Sequence, residues 1–270
     1  GFEIIIYTNG SLIDREIADE LASLRPNKVD ITIPAMSKGN FEKISGVQGS
    51  KNKVFRAIEL LHKNKINLGF KTCVLKENET EIKDMHKFSE SLGALHRLDY
   101  MLMPRLDGSK EPYKYRGRLK ENLAASHRLQ YTDQTWNPEK CNKDTVNCRL
   151  STVNLFKCGV GETQAAITPF GELKMCLMID EPRYKLNVTR NGLPVTYTSL
   201  YLKNAWERLK KFVASIESDK VYQCHRCELQ SYCKWCPARA WLEDRSFTTC
   251  DSESRKWART EKEQFNSVPI

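Results

Sequence analysis

Four cysteines crowd into one short segment, Cys224-His-Arg-Cys227-Glu-Leu-Gln-Ser-Tyr-Cys233-Lys-Trp-Cys236-Pro237, at C-x2-C-x5-C-x2-C spacing. Thiolates repel one another and resist desolvation, so such crowding is normally held together by a metal. A zinc ribbon sets its two C-x2-C knuckles roughly 12–20 residues apart, so that each can form its own hairpin. Here five residues intervene, and Cys158, Cys176 and Cys250 also need a role. Bacterial ferredoxins instead run three closely spaced cysteines and then Cys-Pro, the last thiolate serving another cluster. The analogous division gives Cys224, Cys227 and Cys233 to one cluster and Cys236, followed by Pro237, to a second. Spacing therefore favours iron–sulfur over zinc. His225 reads as a solvent-facing loop residue, because thiolates are plentiful.

The flanking sequence says what must position these thiols. Ala165 to Thr168 and Glu172 to Cys176, joined by Pro169-Phe170-Gly171, read as a β-hairpin that brings Cys158 and Cys176 together from opposite strands. Gly159 and Gly161 let backbone N–H groups approach a sulfur-ligated cluster. Leu202, Trp206, Leu209, Val213 and Ile216 mark one apolar face of a helix, with Trp206 in the core rather than on a cofactor. Ala238 to Glu243 reads as helix, and Asp251 to Ile270 as a helix that frays. Cys141 and Cys148 match no familiar ligand spacing and default to unpaired thiols.

The first half alternates strand and helix. Strands are expected at Glu3–Tyr7, Val29–Ile33, Leu68–Leu75 and Leu98–Met103. Ser11 or Asp14 caps a helix carrying Ile13, Ile17, Leu21 and Leu24, which Pro26 stops. Val54, Ile58 and Leu61 lie on a second helix. Asn78 caps a third, with Ile82, Met85, Phe88 and Leu92 on one face and Gly93 at its end. This order predicts a parallel sheet with right-handed crossovers, whose chemistry sits at the C-terminal ends of its strands. Gly46-x-x-Gly49 is a weak phosphate signal, and a loop leading into a helix is favoured.

Composition sets the outer bounds. The chain's 270 residues, 40% hydrophobic and 29% charged, suit one large domain or two modest ones around a real core. No apolar run of about 18 residues is present, so no transmembrane helix is expected. The excess of 43 Lys+Arg over 34 Asp+Glu is scattered among acids, which favours a solvated surface over nucleic-acid binding. Ten cysteines, crowded towards the second half of an α/β chain, fit metal binding in a reducing compartment. The start at Gly1, almost inside a strand, suggests a fragment whose upstream part is missing.

Taken together, Cys158-x12-Gly171-x4-Cys176, the four-cysteine segment and Cys250 resemble the seven-cysteine SPASM domain of radical S-adenosylmethionine (SAM) enzymes. The last short spacing is two residues here where three is usual. Phe156-Lys-Cys158-Gly, Ile167-Thr-Pro169-Phe-Gly171 and Cys236-Pro-Ala-Arg-Ala-Trp-Leu-Glu243 match the peptide-modifying members. Tyr7-Thr-Asn-Gly10, Val29-Asp-Ile-Thr32, Ile44-Ser-Gly46-x-x-Gly49-Ser50, Lys76-Glu-Asn78 and Pro104-Arg-Leu-Asp-Gly-Ser109 look like the later strands of the radical SAM partial barrel.

The resemblance implies an α/β chain: the last four strands of a partial (β/α)6 barrel over residues 1–104, a bridge over 105–155, and a small Cys-rich α+β SPASM domain over 156–270. By the same resemblance, Cys158, Cys176 and Cys236 ligate one auxiliary [4Fe-4S] cluster, and Cys224, Cys227, Cys233 and Cys250 a second. The first then lacks a fourth thiolate; the position is open to a substrate sulfur or filled by Cys141 or Cys148. Thr32, and more weakly Asn9, carry over as SAM contacts. The C-x3-C-x2-C segment that holds the SAM-cleaving cluster is absent from this stretch, so the chain alone is expected to be unable to start radical chemistry. The full enzyme would use SAM and a third [4Fe-4S] cluster to abstract a hydrogen from a ribosomally made peptide or protein, with a donor such as flavodoxin or ferredoxin, in the cytoplasm. A zinc-stabilised binding module and an iron–sulfur electron-transfer or peptide-docking protein without SAM chemistry are the alternatives. No spacing singles out a general base.

Overall fold

The computed structural model describes residues 2–118, 158–190, 193–197, 199–217, 227–233 and 235–266. The positions Leu119 to Leu129, where a helix is expected from the sequence, and Cys141, Cys148, Cys224 and His225, lie outside them. The chain divides into two compact units, Gly1–Leu102 with Tyr113–Ser126, and Met103–Pro112 with His127–Ile270.

The first unit is built on four parallel strands, β1 (Ile5–Thr8), β2 (Lys28–Thr32), β3 (Leu68–Cys73) and β4 (Leu95–Asp99), in the order β1-β2-β3-β4. The crossovers carry α1 (Arg15–Leu24), α2 (Lys38–Ser45), α3 (Ser50–Lys63) and α4 (Ile82–Ser91). Strand alternation sends Val29, Ile31, Leu68, Phe70 and Leu98 to one face, where they are buried with Val54, Ala57, Ile58 and Leu61 of α3 and with Ile82 and Met85 of α4. Phe55 links this core sideways, its ring 6.2 Å from Phe41 of α2 and 5.1 Å from Phe88 of α4.

Several expectations shift. Asp14, not Ser11, caps α1, accepting from the Ile17 N–H at 3.0 Å. Ile13 precedes that helix, and Ala18 is its buried residue while Leu24 is exposed. Helix α2 was not expected; it is short and polar, held by Ser37 as cap and Phe41 as its one buried residue. Strand β4 starts earlier than Leu98, because its ladder with β3 runs from Leu95 to Asp99 and leaves Leu95 on the open face, 70% exposed. The Met101 N–H then folds back onto Asp99 Oδ1. Gly46 and Gly49 hold left-handed φ values of 70° and 71° where α2 ends and α3 begins, so the pair is a helix–helix turn.

The second unit holds an antiparallel sheet of β5 (Ala166–Ile167), β6 (Glu172–Cys176) and β7 (Ile179–Lys185), then a hairpin of β8 (Asn187–Arg190) and β9 (Leu193–Tyr197). Helices α5 (Ser199–Glu217), α6 (Pro237–Asp244) and α7 (Ser252–Asn266) complete it. The expected hairpin forms, with Gly171 left-handed at φ 72° in its turn. Leu173, Met175, Ile179, Ala205, Leu209, Val213 and Ala238 make the core, and Trp206 packs against it. Leu202 does not join them and is 45% exposed. Among the described residues, no helix is long and apolar enough to cross a membrane.

Candidate functional site

Two places in the chain carry chemistry, one in each unit. In the first unit, the C-terminal ends of β1 and β2 present the residues expected to touch SAM. Asn9 follows β1 in a tight turn, its Oδ1 accepting from the Ser11 N–H and hydroxyl at 3.0 and 2.9 Å. Thr32 ends β2 and is exposed. Two residues brace this edge. Asn78 was expected to cap a helix; it is instead fully buried, its amide donating to the Pro34 and Cys73 carbonyls (2.7 and 2.9 Å) and its Oδ1 accepting from the Leu75 N–H at 2.8 Å. It thereby ties the ends of β2 and β3 together. Glu81 fixes the loop after β2, accepting from the Met36 and Ser37 N–H groups (2.6 and 2.8 Å), the Ser37 hydroxyl (2.6 Å) and the Asn40 amide (2.5 Å). Burial alone would raise this carboxyl, but the bonds from Ser37, Asn40 and Met36 outweigh it and hold it below the usual range.

The sheet face opposite the helices is charged. Asp30 is buried there between Lys28 Nζ at 3.0 Å and Lys71 Nζ at 3.5 Å. The same Lys71 ammonium stands 3.5 Å from the centroid of the Tyr7 ring. A Cβ on Gly69 would overlap Asp30 Oδ1, so this glycine makes room for the carboxylate. Sequence reasoning passed over these residues. Their signal is a charge at alternate positions inside otherwise apolar strands: Lys28 and Asp30, Lys71, and Arg97.

In the second unit, Cys176 ends β6 at the turn into β7, and Cys236 directly precedes α6. Both pack against the same apolar core. Burial raises the Cys176 thiol; the Met178 N–H, donating to its sulfur at 3.5 Å, opposes that rise, while Cys236 and then Cys158 add to it. These three sulfurs are therefore neighbours. Cys158 sits in a turn before β5 rather than on a strand, which corrects the expected approach from opposite strands. That turn is closed by the Thr163 and Gln164 N–H groups on the Gly159 carbonyl (2.8 and 2.9 Å). Gly161, at φ 78°, is pressed onto Val213 of α5 so closely that a Cβ would lie 2.7 Å from it.

Cys250 and Cys227 form a second neighbourhood. Burial raises Cys250; Arg255 opposes that, and Asp251 and Cys227 raise it further. Cys233 lies 4.0 Å from the Ser254 carbonyl at the start of α7. A buried ion pair ties these segments together: Arg239 Nε lies 2.7 Å from Asp251 Oδ1, and Arg239 also donates to the Ser254 hydroxyl. Among the described residues, no group of three His, Cys, Asp or Glu side chains is placed to hold a single metal ion. The donor set is all-thiol, the chemistry that an iron–sulfur cluster takes.

The fold of this chain, with its parallel sheet and helices on one face, is similar to that of solved radical SAM enzymes. Residues 1–89 match the sequence model of the Radical SAM superfamily. SuiB of Streptococcus suis, bound to S-adenosylmethionine, superposes with a TM-score of 0.58 at 13% identity, over 94% of this chain and 60% of that one. The enzyme anSMEcpe with bound AdoMet gives 0.59 at 16% identity, over 98% and 75%. Further structures of these two hold precursor peptide SuiA and a Cp18Cys peptide, respectively. An AdoMet-dependent heme synthase of Methanosarcina barkeri is 25% identical over 104 residues, 38% of this chain and 30% of that protein. Another from Oleidesulfovibrio alaskensis is 27% identical over 104 residues, 38% and 27%. The chain thus aligns with less than a third of either curated relative.

Proposed function

We propose that this chain belongs to a radical SAM/SPASM enzyme that modifies a ribosomally made peptide or protein. The observation that carries the reading is a radical SAM fold followed, in one chain, by a unit whose thiols gather in two neighbourhoods, Cys158/Cys176/Cys236 and Cys227/Cys250. In this reading residues 1–104 are barrel, 105–155 bridge and 156–270 SPASM domain. Cys158, Cys176 and Cys236 hold one auxiliary [4Fe-4S] cluster; Cys224, Cys227, Cys233 and Cys250 hold the other.

A SAM-cleaving cluster would supply one-electron reduction of SAM; no C-x3-C-x2-C ligands for it stand in this sequence. The chain's own residues position the reactants. Thr32 and Asn9 offer polar contacts to SAM at the sheet edge, and Asn78 and Glu81 keep that edge rigid. The Met178 N–H donates to Cys176 and tunes its sulfur. The electron donor is a flavodoxin or ferredoxin, and the compartment is the cytoplasm.

A second reading, favoured by the two heme synthase relatives, replaces the peptide with a tetrapyrrole precursor. Iron, acid-labile sulfide and visible absorbance after oxygen-free preparation test the shared core of both. About eight iron atoms per chain are expected from two [4Fe-4S] clusters. Cys227→Ala should lose about half of that iron and destabilise the second unit. A colourless wild-type protein carrying only zinc, or a Cys227→Ala variant with full iron and unchanged melting, would overturn the assignment.

A further inference from the structure

The sheet face opposite the helices carries more charge than the buried Asp30 requires. Parallel strands buried on both sides read as apolar runs. Here the register sets Tyr7, Asp30 and Gly69 in one row, and Thr32, Lys71 and Arg97 in the next row towards the C-terminal edge. The second row stands nearer the C-terminal ends of the strands, where (β/α) folds keep their active sites.

Charge accounting shows an excess. Asp30 sits between two ammonium groups and balances one of them. Arg97, exposed beside Lys71 on the neighbouring strand, makes no ion pair among the described residues. With Asp99 two residues beyond Arg97 on the same strand, three cations face two carboxylates, and Asp99 Oδ1 is already engaged by the Met101 N–H, which leaves Lys71 and Arg97 as the cations beside Thr32's row. Lys71 is held in place by Asp30 on one side and by the Tyr7 ring on another, and its side chain stays 25% exposed. Neighbouring strands lie about 4.8 Å apart, so an ammonium and a guanidinium on adjacent strands can grip one carboxylate, the guanidinium through two parallel bonds.

We infer that Lys71 and Arg97 form an anion subsite that recognises a carboxylate of the peptide substrate, making the substrate class acidic peptides. The inference rests on the peptide-modifying reading above and deepens it. The carboxylate can come from an Asp or Glu side chain or from a peptide C-terminus, and the test separates the two.

The probes are two pools of synthetic random hexapeptides, one with amidated and one with free C-termini. Each is equilibrated with the anaerobically prepared chain, and retained peptides are sequenced by mass spectrometry. Wild type should enrich Asp and Glu about fivefold, the factor that a modest charge preference gives. Acidic enrichment in the amidated pool assigns the site to side chains; enrichment confined to the free pool assigns it to the C-terminus; either supports the inference. Arg97→Gln should remove most of the enrichment, and Lys71→Glu with Arg97→Glu should turn it towards Lys and Arg. Lys63→Gln, on the outer helix α3, should leave it intact. Because Arg97 is exposed and unpaired, its variant stays informative even if the Lys71 change impairs folding. Retained peptides with no acidic bias, a bias that survives both Glu substitutions, or one abolished by saturating SAM would overturn the inference and leave the peptide reading standing. A wild-type chain that retains nothing from either pool sinks the peptide reading and the inference with it.

Discussion

Replacing Arg239 with Met should unlock the Cys-rich unit. The guanidinium and the Asp251 carboxylate have side-chain exposures of 2% and 0%, with Nε and Oδ1 at 2.7 Å. Met retains most of the apolar stem but removes the charge. Asp251 is then left in dry surroundings, its Oδ1 accepting from the Ser254 N–H at 2.8 Å. Removing one partner of such a pair costs about 3–5 kcal/mol, because the other charge stays buried and uncompensated. For a unit of this size that loss lowers the melting temperature by roughly 10–15 °C. Urea unfolding followed by circular dichroism and by fluorescence from Trp206, Trp235, Trp241 and Trp257 would read it. The Arg239→Met/Asp251→Leu double variant should lose less than the two single variants added together, with a coupling of about 2 kcal/mol or more. A loss below about 1 kcal/mol, or singles that simply add, would refute the reasoning.

Three further outcomes follow from the first unit. Thr72 donates its one proton to the Ile33 carbonyl at 2.7 Å and so accepts from His96 Nε2 at 2.9 Å, leaving Nδ1 buried and bare. Burial, then the neighbouring His86, pushes His96 down from 6.5 to about 4. It stays neutral in the fold while the unfolded chain takes up a proton below 6.5. Stability present above pH 6.5 should therefore fall as pH drops towards 4, by up to about 2 kcal/mol at pH 5, and His96→Gln should flatten that slope in urea titrations. Gly69→Ala must displace the buried Asp30 carboxylate and should cost about 1–3 kcal/mol, read from the same titrations. Glu81→Gln keeps the shape but loses charge-assisted bonds in a half-open site; about 1 kcal/mol is expected, with faster amide exchange at Met36 and Ser37 as its signature.

What was legible depended on whether a signal was local. The parallel order of β1 to β3, helix α3 and the hairpin at Gly171 follow from apolar periodicity and turn residues, which neighbours in sequence encode. Helix α2 escaped because a single buried Phe41 sets no period. The Leu98–Met103 run looked like a strand by hydrophobicity, but the ladder with β3 and the exposed edge position of Leu95 set β4 earlier. Asn78 shows the same limit at the site. Its type suggests a helix cap, and only the converging Pro34 and Cys73 carbonyls turn it into a tie between strands. Arg239 and Asp251 are twelve residues apart, and nothing in their spacing announces that both would be sealed from water.

The two units solve the problem of burying polar groups in opposite ways, and this bears on where each can change. The first has a large apolar core on one side of its sheet, so the charged face is free of structural duty apart from Asp30. Substitutions at Arg97 or Thr32 should alter what is bound without altering the fold. In the second unit the thiols, the Arg239–Asp251 pair and Ser254 share a few short segments, so any change to one moves the others. Evolution of a new substrate preference is therefore expected to proceed through the charged sheet face, while the cysteine-bearing segments remain tied together by the ion pair that holds them.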